Sequence, residues 1–283
     1  MRISLNITEY SWPGTIADGL DRTARAAEAA GLDTVWVADH LIQAHPMAQV
    51  TDPMLEACTT LGYLAARTET VNLGTMVAAV TFRPPALLIK AVTTLDVLSG
   101  GRAWFGVGAG YHQAEADMMG LPLPPTGERF DRLEETVRIA EAMFAGDEAP
   151  FEGRHHRLTR PVNSPLPIGS PKLLIGGMGE RRTLPLVAAH ADACNLPDVP
   201  DGGATIRAKL AVLRQACERA GRDYGEIAKT VSTKLSPGQS AESFAEHLRE
   251  LEQLGLDHAV VITDGGWTEE GVAVLGRARR ALA

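Results

Sequence analysis

VNLGTMVAAVTFRPPALLIKAVTTLDVLSGGRAWFGVGAG, residues 71–110, holds the pattern on which the fold turns. VNLGTMVAAV (71–80) is a near-continuous apolar run of strand length. Arg83-Pro84-Pro85 opens a helix that stops at Ser99-Gly100-Gly101, and AWFGVGAG (103–110) is a second apolar run, thick with glycine at its end. Strands that are continuously apolar rather than alternating are buried on both faces, as in a parallel sheet covered by helices. Proline at the start and glycine past the end of the middle segment is the asymmetry of a helix. The stretch reads strand, helix, strand.

The same beat runs outward in both directions. Upstream, RISLNI (2–7) is a short strand, and Thr15 is placed to N-cap a helix to Gly31 with Ile16, Leu20, Ala24 and Ala27 on one face. TVWVAD (34–39) is the next strand, and Asp52-Pro53 opens a helix to about Arg67. Downstream the beat breaks. Residues 111–127 read as a long connection, followed by a helix with Phe130, Leu133, Val137 and Phe144 on one stripe. FEGRHHRL (151–158) reads as a small hairpin and PVNSPLPIGSP (161–171) as a connector. The beat resumes with strands KLLIGG (172–177), DACNLP (192–197), IAKTVSTKL (227–235) and HAVVITD (258–264). Helices at 180–191, 205–221 and 241–254 separate them, and a last one starts at 269; Gly221 and Gly255 sit where C-caps belong. Eight strand–helix units within 283 residues predict one α/β domain over 1–283, a (β/α)₈ TIM barrel with an excursion at about 111–171 between strands 4 and 5.

Composition narrows the function. Hydrophobic residues make up 45% and charged residues 22%, which argues for a packed globular chain. No apolar run approaches the roughly 20 residues of a membrane span, and MRISLNITEY lacks the apolar core of about 7–15 residues that marks a signal peptide. Cys58, Cys194 and Cys217 are widely spaced and spell neither a disulfide framework nor a zinc cluster, so a reducing cytoplasm is the expected location. A net charge of −8 disfavours nucleic acid as partner, which leaves a small molecule.

Barrel chemistry sits at the C-terminal ends of the strands. That rule singles out Asp39-His40, Ala78-Ala79-Val80, Gly108-Ala109-Gly110, Gly176-Gly177, Asn195 and Asp264-Gly265-Gly266. A carboxylate beside an imidazole can bind metal, move protons or hold the polar edge of a heterocycle. It can equally be a capping Asp beside an exposed His, and the sequence leaves these readings open. GVGAG (106–110) fails the G-x-G-x-x-G dinucleotide fingerprint, which would need glycine at Tyr111 or Gln113. GGMGERRTL (176–184) is stronger: glycines at a strand end expose N–H groups, a helix follows at once, and Arg181 and Arg182 add charge. It reads as a cradle for one phosphate, or as a glycine turn with solvated arginines. His155 and His156 point to opposite faces of a strand, no H-E-x-x-H or G-x-S-x-G occurs, and Cys194 reads as core. A metal held by Asp39, His40 and His112 is the weakest reading, and none is expected.

TVWVADH, the block LGTMVAAVTFRPPALLIKAVTTLDVLSGGRAWFGVGAGYHQAE and LLIGGMGERRTLPLVAAHADACN together resemble the bacterial luciferase-like flavin and deazaflavin oxidoreductases. The likeness is closest to the branch that uses coenzyme F420, and the matching blocks run from about residue 1 to 198. The resemblance implies a cofactor in the C-terminal mouth of the barrel, its ring against the third strand at a non-prolyl cis peptide between Met76 and Val77. It implies that Asp39 contacts the ring's polar edge, that Ala79 and Ala109 line it, and that the Gly176, Gly177, Met178, Gly179 loop holds phosphate. Gly110, His112 and Arg181 complete the expected cofactor set.

The implied chemistry is hydride transfer between a deazaflavin and a small organic substrate, because carbon in place of N5 disfavours oxygen activation. His40 matches a histidine that the sugar-phosphate dehydrogenases of the branch use in catalysis, paired there with a glutamate at the position of Tyr111. That departure argues against a sugar phosphate and leaves Tyr111 to donate or relay a proton, or to stack. The alternatives are an FMN-dependent monooxygenase, a catalytically silent flavin-binding protein and a metal-dependent hydrolase. Dimers are common in the family, so a homodimer is expected, and the shortness of the chain implies a slight lid.

Overall fold

The computed structural model describes residues 1–44 and 48–282. The first half contains β1 (Arg2–Ile7), α1 (Ile16–Ala29), β2 (Thr34–Val37), α2 (Ala57–Ala65), β3 (Asn72–Thr75), β4 (Ala78–Ala79), α3 (Pro85–Ser99) and β5 (Ala103–Gly108). The excursion holds α4 (Gln113–Met119), α5 (Thr126–Phe144) and an antiparallel pair, β6 (Phe151–Glu152) with β7 (Arg157–Leu158). The second half contains β8 (Lys172–Gly176), α6 (Thr183–His190), β9 (Ala193–Pro197), α7 (Ala204–Ala220), β10 (Ala228–Lys234), α8 (Ala241–Gln253), β11 (His258–Ile262) and α9 (Glu269–Leu282).

The ladders of the large sheet are parallel, in the order β3-β2-β1-β11-β10-β9-β8-β5-β4. A further pairing of β3 with β5, through Leu73 to Ala103 and Gly74 to Trp104, joins the two edges. The result is a closed (β/α)₈ barrel in which β3 and β4 form one stave, interrupted at a cis peptide between Met76 and Val77. Among the described residues no helix is long and apolar enough to cross a membrane.

Strand alternation sorts the core into two layers. Val35 and Val37 pack under the helices, while Trp36 points into the barrel and meets Trp104 edge-on at 5.4 Å. Gly74 makes room for both rings: a Cβ there would lie 2.7 Å from the Trp36 ring and 2.8 Å from Trp104 Cβ. Nearer the strand starts, the Trp36 indole N–H donates to Ser4 Oγ (3.1 Å), which also meets His258 Nε2 (2.6 Å). Burial pushes the His258 imidazole down to about 4, so it is neutral at physiological pH. This plug fills the lumen below the C-terminal ends of the strands.

Three helix starts differ from the sequence reading. The helix expected from Pro53 begins at Ala57, because Glu56 caps it by accepting from the Cys58 and Thr59 N–H groups (3.1 and 2.7 Å), while Asp52 turns back to Gln49 N–H (2.8 Å). The connection 111–127 contains α4, whose cap is the His112 ring accepting from Glu115 N–H at 3.0 Å. The helix expected from 180 begins at Thr183, without a side-chain cap. Elsewhere the expected signals operate: Thr15 caps α1 by accepting from Asp18 N–H at 3.1 Å, and Gly100 ends α3 with φ +74°.

Candidate active site

A cavity of about 590 Å³ opens at the C-terminal ends of the staves, within the range of small-molecule sites. Each stave contributes to it: Asn6 from β1, His40 beyond β2, Val77, Ala109 beyond β5, Gly177 beyond β8, Asn195, Ser232 and Ile262. A larger hollow of about 750 Å³ lies at the opposite end, lined by Met1, Arg2, Lys229 and Asp257 among others. That end of a barrel serves stability rather than chemistry, and the hollow contains none of the expected site residues.

One wall of the cavity is tightly packed around Val77. Val77 lies against β5 and β8 so closely that a Cβ on Gly108 would come within 2.8 Å of its side chain, and one on Gly176 within 2.9 Å. Beyond β8 the chain turns through Gly177 at φ +113°, a conformation that favours glycine. Among the described residues, no backbone hydrogen bond outside the helices and strands is donated by Gly177, Met178 or Gly179. Thr183, the first residue of α6, faces this loop: a Cβ on Gly179 would stand 2.8 Å from its hydroxyl. Gly177, Met178, Gly179 and Thr183 all line the cavity, beside the N-terminal end of α6, a setting suited to an anion.

The arginines stand elsewhere. Arg182 is held by Asp131 (2.8 Å) and Glu134 (3.5 Å), and exposed Arg181 does not line the cavity. Of the residues in the expected cradle, Gly176, Gly177, Met178 and Gly179 line the cavity together with Thr183, and the two arginines do not.

His40 rests on a carboxylate that the sequence reading missed. Its Nδ1 lies 2.6 Å from Glu115 Oε2, and Glu115 Oε1 accepts the Leu41 N–H at 2.5 Å. Glu115 is fully buried. On the other side, His40 Nε2 is 3.5 Å from the Tyr111 hydroxyl, and the His40 and Tyr111 rings meet edge-on at 5.8 Å. Desolvation, and secondarily the Glu115 charge, hold the Tyr111 hydroxyl above its ordinary value, so it stays protonated and can donate. An imidazole with one nitrogen on a buried carboxylate and the other toward a cavity is equipped for acid–base chemistry.

Asp39, expected at the cofactor ring, is paired within the protein. Both its oxygens accept from Arg83, at 2.8 and 2.9 Å, and one also accepts the Ala79 N–H at 3.1 Å. Burial works against the Arg83 charge, but Asp39 outweighs it and raises the guanidinium above its usual value. Asp39 and Ala79 are buried and do not line the cavity, and neither does His112, which caps α4 and packs edge-on against His40 at 5.8 Å. The structure brings together at the cavity His40, Tyr111, Met76, Val77, Ala109 and Gly110, with the loop Gly176, Gly177, Met178 and Gly179. Among the described residues no group of three or more His, Cys, Asp or Glu is arranged to hold a metal ion.

The signal for Glu115 was present in HQAE: a capping residue followed three positions later by Glu is the capping-box spacing, disguised because the cap is histidine. Thr183 was hidden by placing the helix start three residues early.

A F420-dependent glucose-6-phosphate dehydrogenase of Kineococcus radiotolerans is 33% identical over 246 residues, covering 82% of this chain and 67% of that protein. One of Amycolatopsis mediterranei is 29% identical over 234 residues, covering 79% and 66%. The chain thus spans about two thirds of the length of these relatives. Among solved structures, an F420-dependent secondary alcohol dehydrogenase holding an F420–acetone adduct is similar, with TM-score 0.86 at 18% identity over 100% of this chain and 99% of that one. The F420-dependent tetrahydromethanopterin reductase of Methanopyrus kandleri has TM-score 0.79 at 15% identity over 97% of each chain. These two likenesses are of fold. The sequence profile of the luciferase-like monooxygenases matches residues 7–254, from the end of β1 through α8, and the chain belongs to that family.

Proposed function

We propose that this chain is a coenzyme F420-dependent oxidoreductase that moves a hydride between the deazaflavin and a small, uncharged organic substrate. The observation that carries the reading is that one cavity combines an amide-presenting glycine loop with a carboxylate-backed histidine. The names of the relatives supply the cofactor's identity. The residues fit such a group. Val77, flush against Gly108 and Gly176, offers a wall for fused rings, and Gly177, Met178, Gly179 and Thr183 offer donors for its phosphate.

When bound, a deazaflavin supplies a carbon that accepts or gives hydride without activating oxygen. The chain's own residues do the rest. Val77 and the strand-end glycines would hold the rings, and His40 would hold or move a proton at Nε2. The polar lining from Asn6, Thr8, Asn195 and Ser232 is neutral, with Met54, Phe130 and Ile262 as apolar surface. Lys234 and Asp264, at the same end of the barrel, are paired at 2.5 Å. This lining supports an alcohol or carbonyl compound rather than the sugar phosphate named for the relatives.

We take the chain to be one domain that works as a cytoplasmic homodimer, without nucleic-acid or membrane partners; its net charge of −8 supports the last point for nucleic acid. Competitive titration tests the cofactor. Oxidised F420 is expected to bind with micromolar or better affinity and FMN at least about tenfold more weakly, a difference of roughly 1.4 kcal/mol. FMN binding as tight as F420 would return the assignment to a flavin monooxygenase.

A further inference from the structure

We propose that Glu115 is a positioning residue for His40: its carboxylate fixes the imidazole with hydrogen on Nδ1 and leaves Nε2 as the nitrogen that exchanges a proton with substrate. This deepens the function proposed above and rests on it for the identity of the reaction.

The geometry is specific. Glu115 is fully buried, and its two oxygens meet two different groups, the Leu41 N–H at 2.5 Å and His40 Nδ1 at 2.6 Å. An ionised carboxylate only accepts hydrogen bonds, so the ring nitrogen beside it carries the hydrogen. Which nitrogen of a histidine is protonated follows from the bond the other makes. Nε2 is then the nitrogen that carries the lone pair, 3.5 Å from the Tyr111 hydroxyl, and both residues line the cavity. The backbone under Glu115 is also held, because its own N–H donates to His112 Nδ1 at 3.0 Å and the His112 ring packs on His40. Position, tautomer and orientation of His40 thus depend on one short helix, α4.

The proton step balances with this assignment. With an oxidised deazaflavin bound as hydride acceptor, the substrate hydroxyl would lose its proton to Nε2 and the carbinol hydrogen would leave with its electron pair, so that C–O becomes C=O. His40 becomes an imidazolium whose charge Glu115 offsets. In the reductive direction Nε2–H returns the proton to the carbonyl oxygen as hydride reaches the carbon.

The experiment is two-bond ¹H–¹⁵N correlation NMR of the full chain labelled with ¹⁵N-histidine, at a pH where the imidazole is neutral. Wild-type His40, assigned with a His40→Gln variant, is expected to show a pyrrole-like Nδ1 and a pyridine-like Nε2. In Glu115→Gln the remaining carbonyl oxygen serves Leu41 N–H, which turns the amide NH₂ toward Nδ1. The hydrogen is then expected on Nε2, with turnover down about 100-fold and F420 affinity unchanged within about twofold. His258, in the plug at the other end of the barrel, keeps its pattern and reports an intact fold. A wild-type proton on Nε2, or the same His40 pattern in both proteins, would overturn the proposal; the wild-type spectrum decides even if the variant does not fold. Failure of F420 to bind would remove the reaction but leave the tautomer result standing.

Discussion

Thr183 and Arg182 are neighbours with opposite surroundings, and the difference decides where an anion can sit. The Thr183 hydroxyl lies beside the Gly177–Gly179 loop at the cavity. The Arg182 guanidinium points to Asp131 and Glu134 on α5. Thr183→Val keeps the volume and removes the hydroxyl, so it is expected to weaken F420 binding about tenfold, the worth of one hydrogen bond to a charged group. Arg182→Ala is expected to leave affinity within about twofold, since an exposed ion pair contributes little. A fluorescence titration of both variants checks the order, and the reverse order would give the anion site back to the arginines. The sequence shows that these residue types are adjacent, but not which way each points. That depends on where α6 starts and on the carboxylates α5 presents from 50 residues away.

At the scale of elements, legibility followed the chemistry of the helix ends. α1 and α8 carry Thr15 and Ser240 at their N-caps, α3 has proline in its first turn, and Gly100 and Gly221 close α3 and α7. Each is a residue type whose preference for that position has a local cause, so the sequence could be read there. α2 and α4 are capped by Glu56 and His112, types with no such local preference, and Asp52-Pro53 imitated a cap four residues too early. The cost was uneven. Misplacing α2 hid only the brace of Glu56 on Arg83. Misreading α4 as loop hid Glu115, the carboxylate that supports His40. Strands were legible because burial on both faces makes them continuously apolar, and the glycines at their ends marked the cavity. The pairing of Asp39 with Arg83 was not legible, because Arg83 lies 44 residues on and nothing local ties the two together.

For the whole molecule, the barrel is closed by β3 against β5 and plugged by Trp36, Trp104, Ser4 and His258, and the cavity that gathers most of the expected site residues lies at the mouth. The plug has a pH signature. His258 is held neutral down to about 4, against an ordinary value of 6.5, so between these values the unfolded chain binds the extra proton. Stability from this group is therefore complete above about pH 6.5 and is lost as pH falls toward 4. Urea midpoints measured across that window are expected to fall on acidification, and His258→Gln is expected to flatten this part of the slope; equal slopes in the two proteins would contradict the role given to the plug. The mouth is the larger claim, and a crystal of this protein soaked with oxidised coenzyme F420 examines it most directly. Density is expected for three fused rings against Val77 and for the phosphate on the amides of Gly177–Gly179 with the Thr183 hydroxyl. Cofactor density lying in the hollow at the opposite end, or a mouth that stays empty while the cofactor is bound elsewhere, would contradict it.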